Sequence, residues 1–470
     1  MQKVWLFLIL TTTTYLTYSQ NNKLTPVVDE RTELLGIVFR LAEADEYINN
    51  TLPSYSKEIN EYFANFKNHN VVKFAEKLRA KRGVSYNAVM SMAINIEITD
   101  SIRFLPNASI DNLDSRWGTK NAKTFLIYLN QFYRESNFHQ FFQNHSAIYS
   151  IATENFNHLL KELDTRWFED FYGVKTSEEP NIIVSLTNIG NYGPKITYNN
   201  GSENIYAIMG IWEIDSLGNP IFSKSVLSVL VHELNHSFCN PLIDKYYHYF
   251  QKEVKQLYNL NPSLFKAQAY GDSKTVMYEM LVRACTIKYF QQKKVGSPKI
   301  KLLIADERTN GFLWIDRMID WLDVYDMSRD KYSTLSSFMP EIAKNIKELS
   351  LEQIKKDYES CFVTKIISSN IPNGATNVNS STNFIVVTFN SPMNINNNGA
   401  SWGKKGKKYY PKREDNRKAF WNKETKMEWN FPVNLKPNST YSISFPAEFF
   451  VDENGYPMKE TYYLDFKTGN

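Results

Sequence analysis

Five consecutive residues carry the densest chemistry in this chain: His232-Glu233-Leu234-Asn235-His236. On an α-helix, residues four apart stand one above the other on one face, so both imidazoles can reach a single metal ion. Neutral imidazole binds zinc at about 2.0–2.1 Å. Glu233 is rotated about a quarter turn from that face, beside the ion rather than on it. From there its carboxylate can take a proton from a water that the metal acidifies toward a pKa of ~7. The spacing thus predicts two ligands for Zn2+ and a general base, Glu233.

A catalytic zinc site needs a third protein ligand and an open position. One class of site places a histidine or aspartate six residues after the second histidine, with a glycine between. Here Leu242 and Cys239 occupy those positions, which disfavours that class. The other solution is a glutamate on a following helix. Glu253 and Glu279, 17 and 43 residues after His236, are the candidates. Lysines flank Glu253, whereas Glu279 belongs to a polar stripe of Thr275, Glu279, Arg283 and Thr286 on an otherwise apolar helix, so Glu279 is favoured. A developing oxyanion needs a donor, for which Tyr192, Tyr278 and Arg283 are candidates.

These residues need a scaffold. Val226, Leu227, Leu230 and Val231 form an apolar helix face after Ser223 and Ser225, which are candidate N-caps. Asn240-Pro241 is expected to end that helix, so the metal helix is predicted over about 224–239. Asp272 or Ser273 would cap the Glu279 helix. Upstream, apolar residues recur at helix spacing to about 175, for example Phe125, Leu126, Leu129, Phe132 and Tyr133. Strand-like runs occupy about 181–214, and the run 205–212 is expected to form the edge that pairs with an extended peptide. Beyond about 366, short β-branched runs alternate with turns such as Asp452-Glu453-Asn454-Gly455, a β-sandwich pattern.

The 470 residues exceed what one core serves, so two or three domains are expected. A charged start followed by Val4–Leu10 and a small-residue exit reads as a signal peptide over residues 1–19. The apolar run is too short for a stable membrane span, so the mature chain is expected to be secreted, periplasmic or at the cell surface. A net charge of +4 argues against nucleic acid. The positive excess gathers at Lys404, Lys405, Lys407, Lys408, Lys412, Arg413, Arg417 and Lys418, read as a solvated hairpin. Three cysteines give no disulfide framework; Cys239 and Cys285 are expected as buried free thiols about 13 Å apart along the helix axes.

His232–His236 with a downstream glutamate resembles the gluzincin metallopeptidases. Asn191-Tyr192-Gly193-Pro194 and Glu279–Ala284 add a resemblance, over about 30–360, to a family of uncharacterised exported bacterial proteins. That resemblance implies zinc held by His232, His236 and Glu279 with Glu233 catalytic. Arg283 stands where well-studied relatives carry an aspartate, so the support of the ligands must come from elsewhere, with Asp244 and Asp272 as candidates. Residues from about 370, carried by Asn373–Val378 and Val387–Met393, resemble bacterial Ig-like modules.

The expected architecture is multi-domain: a mainly helical α+β zincin-like metallopeptidase domain over 20–365, then an all-β Ig-like sandwich over 366–470. The expected activity is hydrolysis of a peptide or protein substrate, with cell-surface or polysaccharide contact through the Ig-like domain. A zinc-containing binding protein without catalysis, and a hydrolase of non-peptide amides, are the alternatives.

Overall fold

The computed structural model describes residues 24–110, 113–174, 180–412 and 417–470. The signal-peptide expectation and Arg413 lie outside the described residues. The chain divides into two compact units: one holds the residues up to Lys161 with Ser177–Phe222, the other Glu162–Thr176 with Ser223–Asn470.

The first unit is built around the helix Glu30–Leu41, whose start is capped by the Asp29 carboxylate accepting from the Arg31 N–H. Leu34, Leu35, Ile37, Val38 and Phe39 are all fully buried, as expected of a helix apolar on every side. Of its two acids, Glu30 and Glu33, the second is fully buried. It accepts hydrogen bonds from the Tyr55 and Ser185 hydroxyls and the Leu186 N–H, and burial pushes its pKa up to about 7.

A three-stranded sheet in the same unit places Glu203–Met209 between Asn181–Val184, to which it is parallel, and Lys195–Thr197, to which it is antiparallel. From Tyr206 to Met209 both edges are covered, by 181–184 on one side and by hydrogen bonds with Pro194 and Tyr192 on the other, which overturns the expected role of this run as a peptide-binding edge. The 181–184 strand is no freer, because Val27 exchanges hydrogen bonds with Ile182 and Val184 on its outer side. The sequence run marks a strand; only its neighbours decide whether it is an edge.

In the second unit, two long helices face each other, Ser225–Tyr246 and Ser273–Gln292. The first starts at Lys224 without a side-chain cap, its flanking serine hydroxyls bonding each other at 2.7 Å. It also runs through Pro241 rather than stopping there. Proline forfeits only the bond to the Ser237 carbonyl, at a cost of ~3 kcal/mol, and the buried Cys239 and Ile243 anchor the helix on either side. The second helix starts at Asp272, whose carboxylate accepts from the Lys274 and Thr275 N–H groups.

The pairing is antiparallel, since Asn235 meets Thr286, Cys239 meets Cys285, Asp244 meets Tyr278 and Tyr247 meets Ser273. Cys239 and Cys285 are free buried thiols as expected, yet their sulfurs lie 3.8 Å apart. The 13 Å expectation assumed that His236 and Glu279 stand level. The contacts of Asn235 with Thr286 and of Cys239 with Cys285 set a different register.

The C-terminal region is all-β. A four-stranded antiparallel sheet, in the order Phe420–Trp421, Glu428–Pro432, Phe384–Phe389, Ile366–Ser369, and a three-stranded one of Ser401–Trp402, Thr440–Phe445 and Tyr462–Lys467 share one core. Ile385, Val387 and Phe389 alternate inward from one sheet, and Ile443, Phe445, Leu464 and Phe466 from the other. The chain is thus multi-domain, helical toward its N-terminus and all-β at its end. Among the described residues no helix is long and apolar enough to cross a membrane.

Candidate metal centre

His232 and His236 lie mid-helix on the first long helix, a turn apart, and Glu279 reaches them from the second. Among the described residues these three form the one group of histidine, cysteine and acidic side chains close enough to share an ion. The two Nε2 atoms are 3.2 Å apart. Each also lies 3.5 Å from a Glu279 oxygen, His232 from Oε2 and His236 from Oε1. An ion about 2.0–2.1 Å from tetrahedral donors sets those donors about 3.3 Å apart. The residues present therefore fit zinc. Glu279 Oε2 points the same way: it is buried and has no hydrogen-bond partner among the described residues, an arrangement costing ~1–3 kcal/mol unless something else binds it.

Electrostatics prepare the donors. Burial would raise the Glu279 pKa, but the close approach of His232 and the charges of His236 and Arg283 hold it well below the usual carboxylate range. It stays ionised, as a ligand must. Burial would lower the His232 pKa, and the Glu279 carboxylate raises it on balance. Glu233 is 9 % exposed, with no hydrogen-bond partner for its carboxylate among the described residues. Burial pushes its pKa up against the pull of the two histidines.

The supporting residues take roles other than those expected of them, namely Arg283 as an oxyanion donor and Asn240 as a helix end. Asn240 Oδ1 lies 3.2 Å from His236 Nδ1, one turn further along the helix. Arg283 is gripped from three sides: Nε lies 3.4 Å from Glu279 Oε2, Nη1 donates to Glu307 at 2.5 Å, and Nη2 donates to the Tyr270 hydroxyl at 3.0 Å. Its guanidinium also stacks on Phe312, centred 4.5 Å from the ring.

On the neighbouring helix face, the Tyr172 hydroxyl donates to Asn235, and Asn235 donates to Thr286, fixing the register of the two long helices. Of all these, Arg283 and Thr286 had a sequence signal in the polar stripe, and Asn240 in its i+4 spacing from His236. Asp244 and Asp272, considered for the same supporting role, instead bind Tyr278 with Lys274 and cap the second helix, respectively.

The other candidates fall elsewhere. Glu253 sits half-exposed in the first turn of the helix Gln251–Tyr258, outside the ligand group. Tyr278 turns to Asp244. Tyr192 belongs to the first unit, where it is buried, bridges to Ile208 and packs its ring on Gly190.

The side chains of His232, His236 and Glu279 keep 20, 15 and 10 % exposure. Three ligands, a partly open face and an unbonded carboxylate beside them can hold an ion and admit a further molecule.

A family profile described as Domain of unknown function (DUF4932) matches residues 24–345, well over half of the chain. The chain belongs to that family. Residues 363–468 match the Bacterial Ig-like domain, in agreement with the two-sheet core. No curated protein matches the chain. Two solved structures do, the crystal structure of the S-layer protein rSbsC(31-844) and that of surface layer protein SbsC, domains 1-6, each 12% identical over 85% of this chain. The chain spans 46% of each, and with a TM-score of 0.17 neither alignment carries a structural argument.

Proposed function

We propose that this protein is an exported zinc-dependent hydrolase with a zincin-like, gluzincin-type site, acting on peptide amides. The observation that carries the reading is the near-tetrahedral spacing of His232, His236 and Glu279 with the Glu233 carboxylate unbonded beside them. Bound zinc would supply Lewis acidity toward both water and a substrate carbonyl. The chain's own residues do the rest. Glu233 accepts the proton of the attacking water and delivers it to the leaving amine, work worth about 10²–10⁴ in rate. Asn240 orients the His236 ring, and Arg283 orients the Glu279 carboxylate.

Arg283 serves better in that positioning role than as an oxyanion donor, because its guanidinium is already engaged by two carboxylates and a phenol. Tyr270 is the donor offered instead. Burial, first, and the nearby Glu279 charge hold its hydroxyl protonated far above the ordinary phenol range. Export rests on the leader-like residues 1–19.

The deciding experiment incubates the mature, zinc-loaded protein with a diverse peptide library, alongside Glu233→Gln. Cleavage by the wild type that falls about 10²–10⁴-fold in the variant is expected. Equal cleavage by both would dismiss Glu233 as the base. Absence of cleavage by either, with one zinc bound per chain, would replace the peptidase reading with a binding protein or a hydrolase of other amides.

A further inference from the structure

The helix Ser297–Thr309 touches two different parts of its unit with adjacent residues. Glu307 faces the metal group, accepting from Arg283 at 2.5 Å, and Arg283 in turn lies 3.4 Å from the ligand oxygen Glu279 Oε2. Arg308, the next residue, faces the Ig-like domain. Its Nη1 donates to the Tyr456 hydroxyl at 2.7 Å and lies 3.1 Å from Cys361 Sγ, and its other terminal nitrogen pairs with Asp316.

The same helix carries Leu302 and Ala305, on which Gly455 of the Ig-like domain lies so closely that an added Cβ would stand 2.8 Å from the Ala305 Cβ. Gly455 adopts a φ of +99°, which favours glycine on its own account. The turn is held in shape by the buried Asp452 carboxylate, which accepts from the Asn454 and Tyr456 N–H groups at 2.8 and 3.0 Å. The contact is thus specific, charged and only partly exposed: the Arg283, Glu307 and Arg308 side chains are about 15 % accessible (15, 16 and 16 %).

A helix turns as a rigid rod, with about 100° between neighbouring residues, so Glu307 and Arg308 cannot be displaced independently. We propose that the Ig-like domain braces the metal centre: Tyr456 and Gly455 fix the helix 297–309, Glu307 on that helix holds Arg283, and Arg283 sets the Glu279 carboxylate. Glu307 also shares the guanidinium charge. Without it, Arg283 would bear wholly on Glu279 and compete with the ion for its oxygens. Arg283, Glu307, Arg308 and Tyr456 are positioning residues. The proposal rests on the zinc reading and assigns the Ig-like domain a task beyond that of a spacer.

The test measures zinc affinity of the full chain by competition with a chromogenic chelator, together with the visible spectrum of the Co2+-substituted protein. Arg308→Ala is expected to weaken zinc about 10-fold, the lower end of what loss of outer support costs, and to alter the Co2+ spectrum. Tyr456→Phe, which removes a single oxygen, is expected to weaken zinc about 3-fold, and Arg308→Lys to restore part of the Arg308→Ala loss. Lys426→Ala, which breaks the exposed pair with Glu453 in the same domain, serves as the control and should bind as the wild type does.

Should Arg308→Ala show no cooperative melt, Tyr456→Phe decides. Wild-type affinity and an unchanged Co2+ spectrum in the variants, even with a lowered melting temperature, would overturn the brace and leave the zinc reading standing. A wild type that binds no zinc would overturn both.

Discussion

Glu33 and Glu279 are both buried, one in each unit, and they are treated in opposite ways. Glu33 meets hydroxyls and backbone amides but no cation, so burial prevails and its pKa rises to about 7. Glu279 meets two imidazoles and a guanidinium, so charge prevails over burial and it remains a carboxylate. Burial alone makes an acid a hydrogen-bonding strut; burial among cations keeps it charged, as a candidate ligand must be. The contrast separates a core residue from a site residue without reference to any relative.

The sharpest way to break this contrast is at Glu279. Glu279→Gln keeps the shape and removes the charge, and zinc affinity measured by equilibrium dialysis should fall by more than the about 10–100-fold expected for lost outer support. Unchanged affinity would mean that the two histidines bind the ion without it.

Glu33→Gln tests the other half. The folded pKa of about 7 lies above the ordinary 4.5, so the folded state holds a proton that the unfolded chain releases between those values. The contribution of this group is therefore fully present below about pH 4.5 and is lost as pH rises through 7, amounting to about 3 kcal/mol. Urea melts of the wild type should lose that stability across this window relative to Glu33→Gln. Parallel pH profiles would show that Glu33 is ionised in the fold.

The smallest effect is expected at Asn240. Asn240→Ala removes the partner of His236 Nδ1, and zinc should bind about 10-fold more weakly with the fold unaltered by circular dichroism. An equal affinity would make that contact incidental.

Much of the site could be read from local order. The i, i+4 spacing of His232 and His236 needs only helix geometry, and the Asp272 cap and polar stripe pointed to the Glu279 helix. The alternating pattern of the C-terminal strands likewise announced a sandwich. What was misread depended on neighbours distant in sequence. Pro241 signalled a helix end, but buried residues on both sides carry the helix past it. The 203–209 strand looked like an edge until two partners covered it. The level of Cys239 against Cys285 was misjudged because the register of the two helices is set by packing contacts such as that of Asn235 with Thr286.

The sequence by itself determined which groups can bind a metal, which can move a proton and which segments are helices or strands, since each follows from residue type and a repeat of a few positions. Tertiary structure alone decided that Glu279 rather than Glu253 meets the histidines, that Arg283 is shared between Glu279 and Glu307, and that Arg308 ties the same helix to Tyr456. The contacts of Arg283 with Glu307 and of Arg308 with Tyr456 join residues 24 and 148 positions apart. They are set by how helices and sheets pack, which no local pattern of residues encodes.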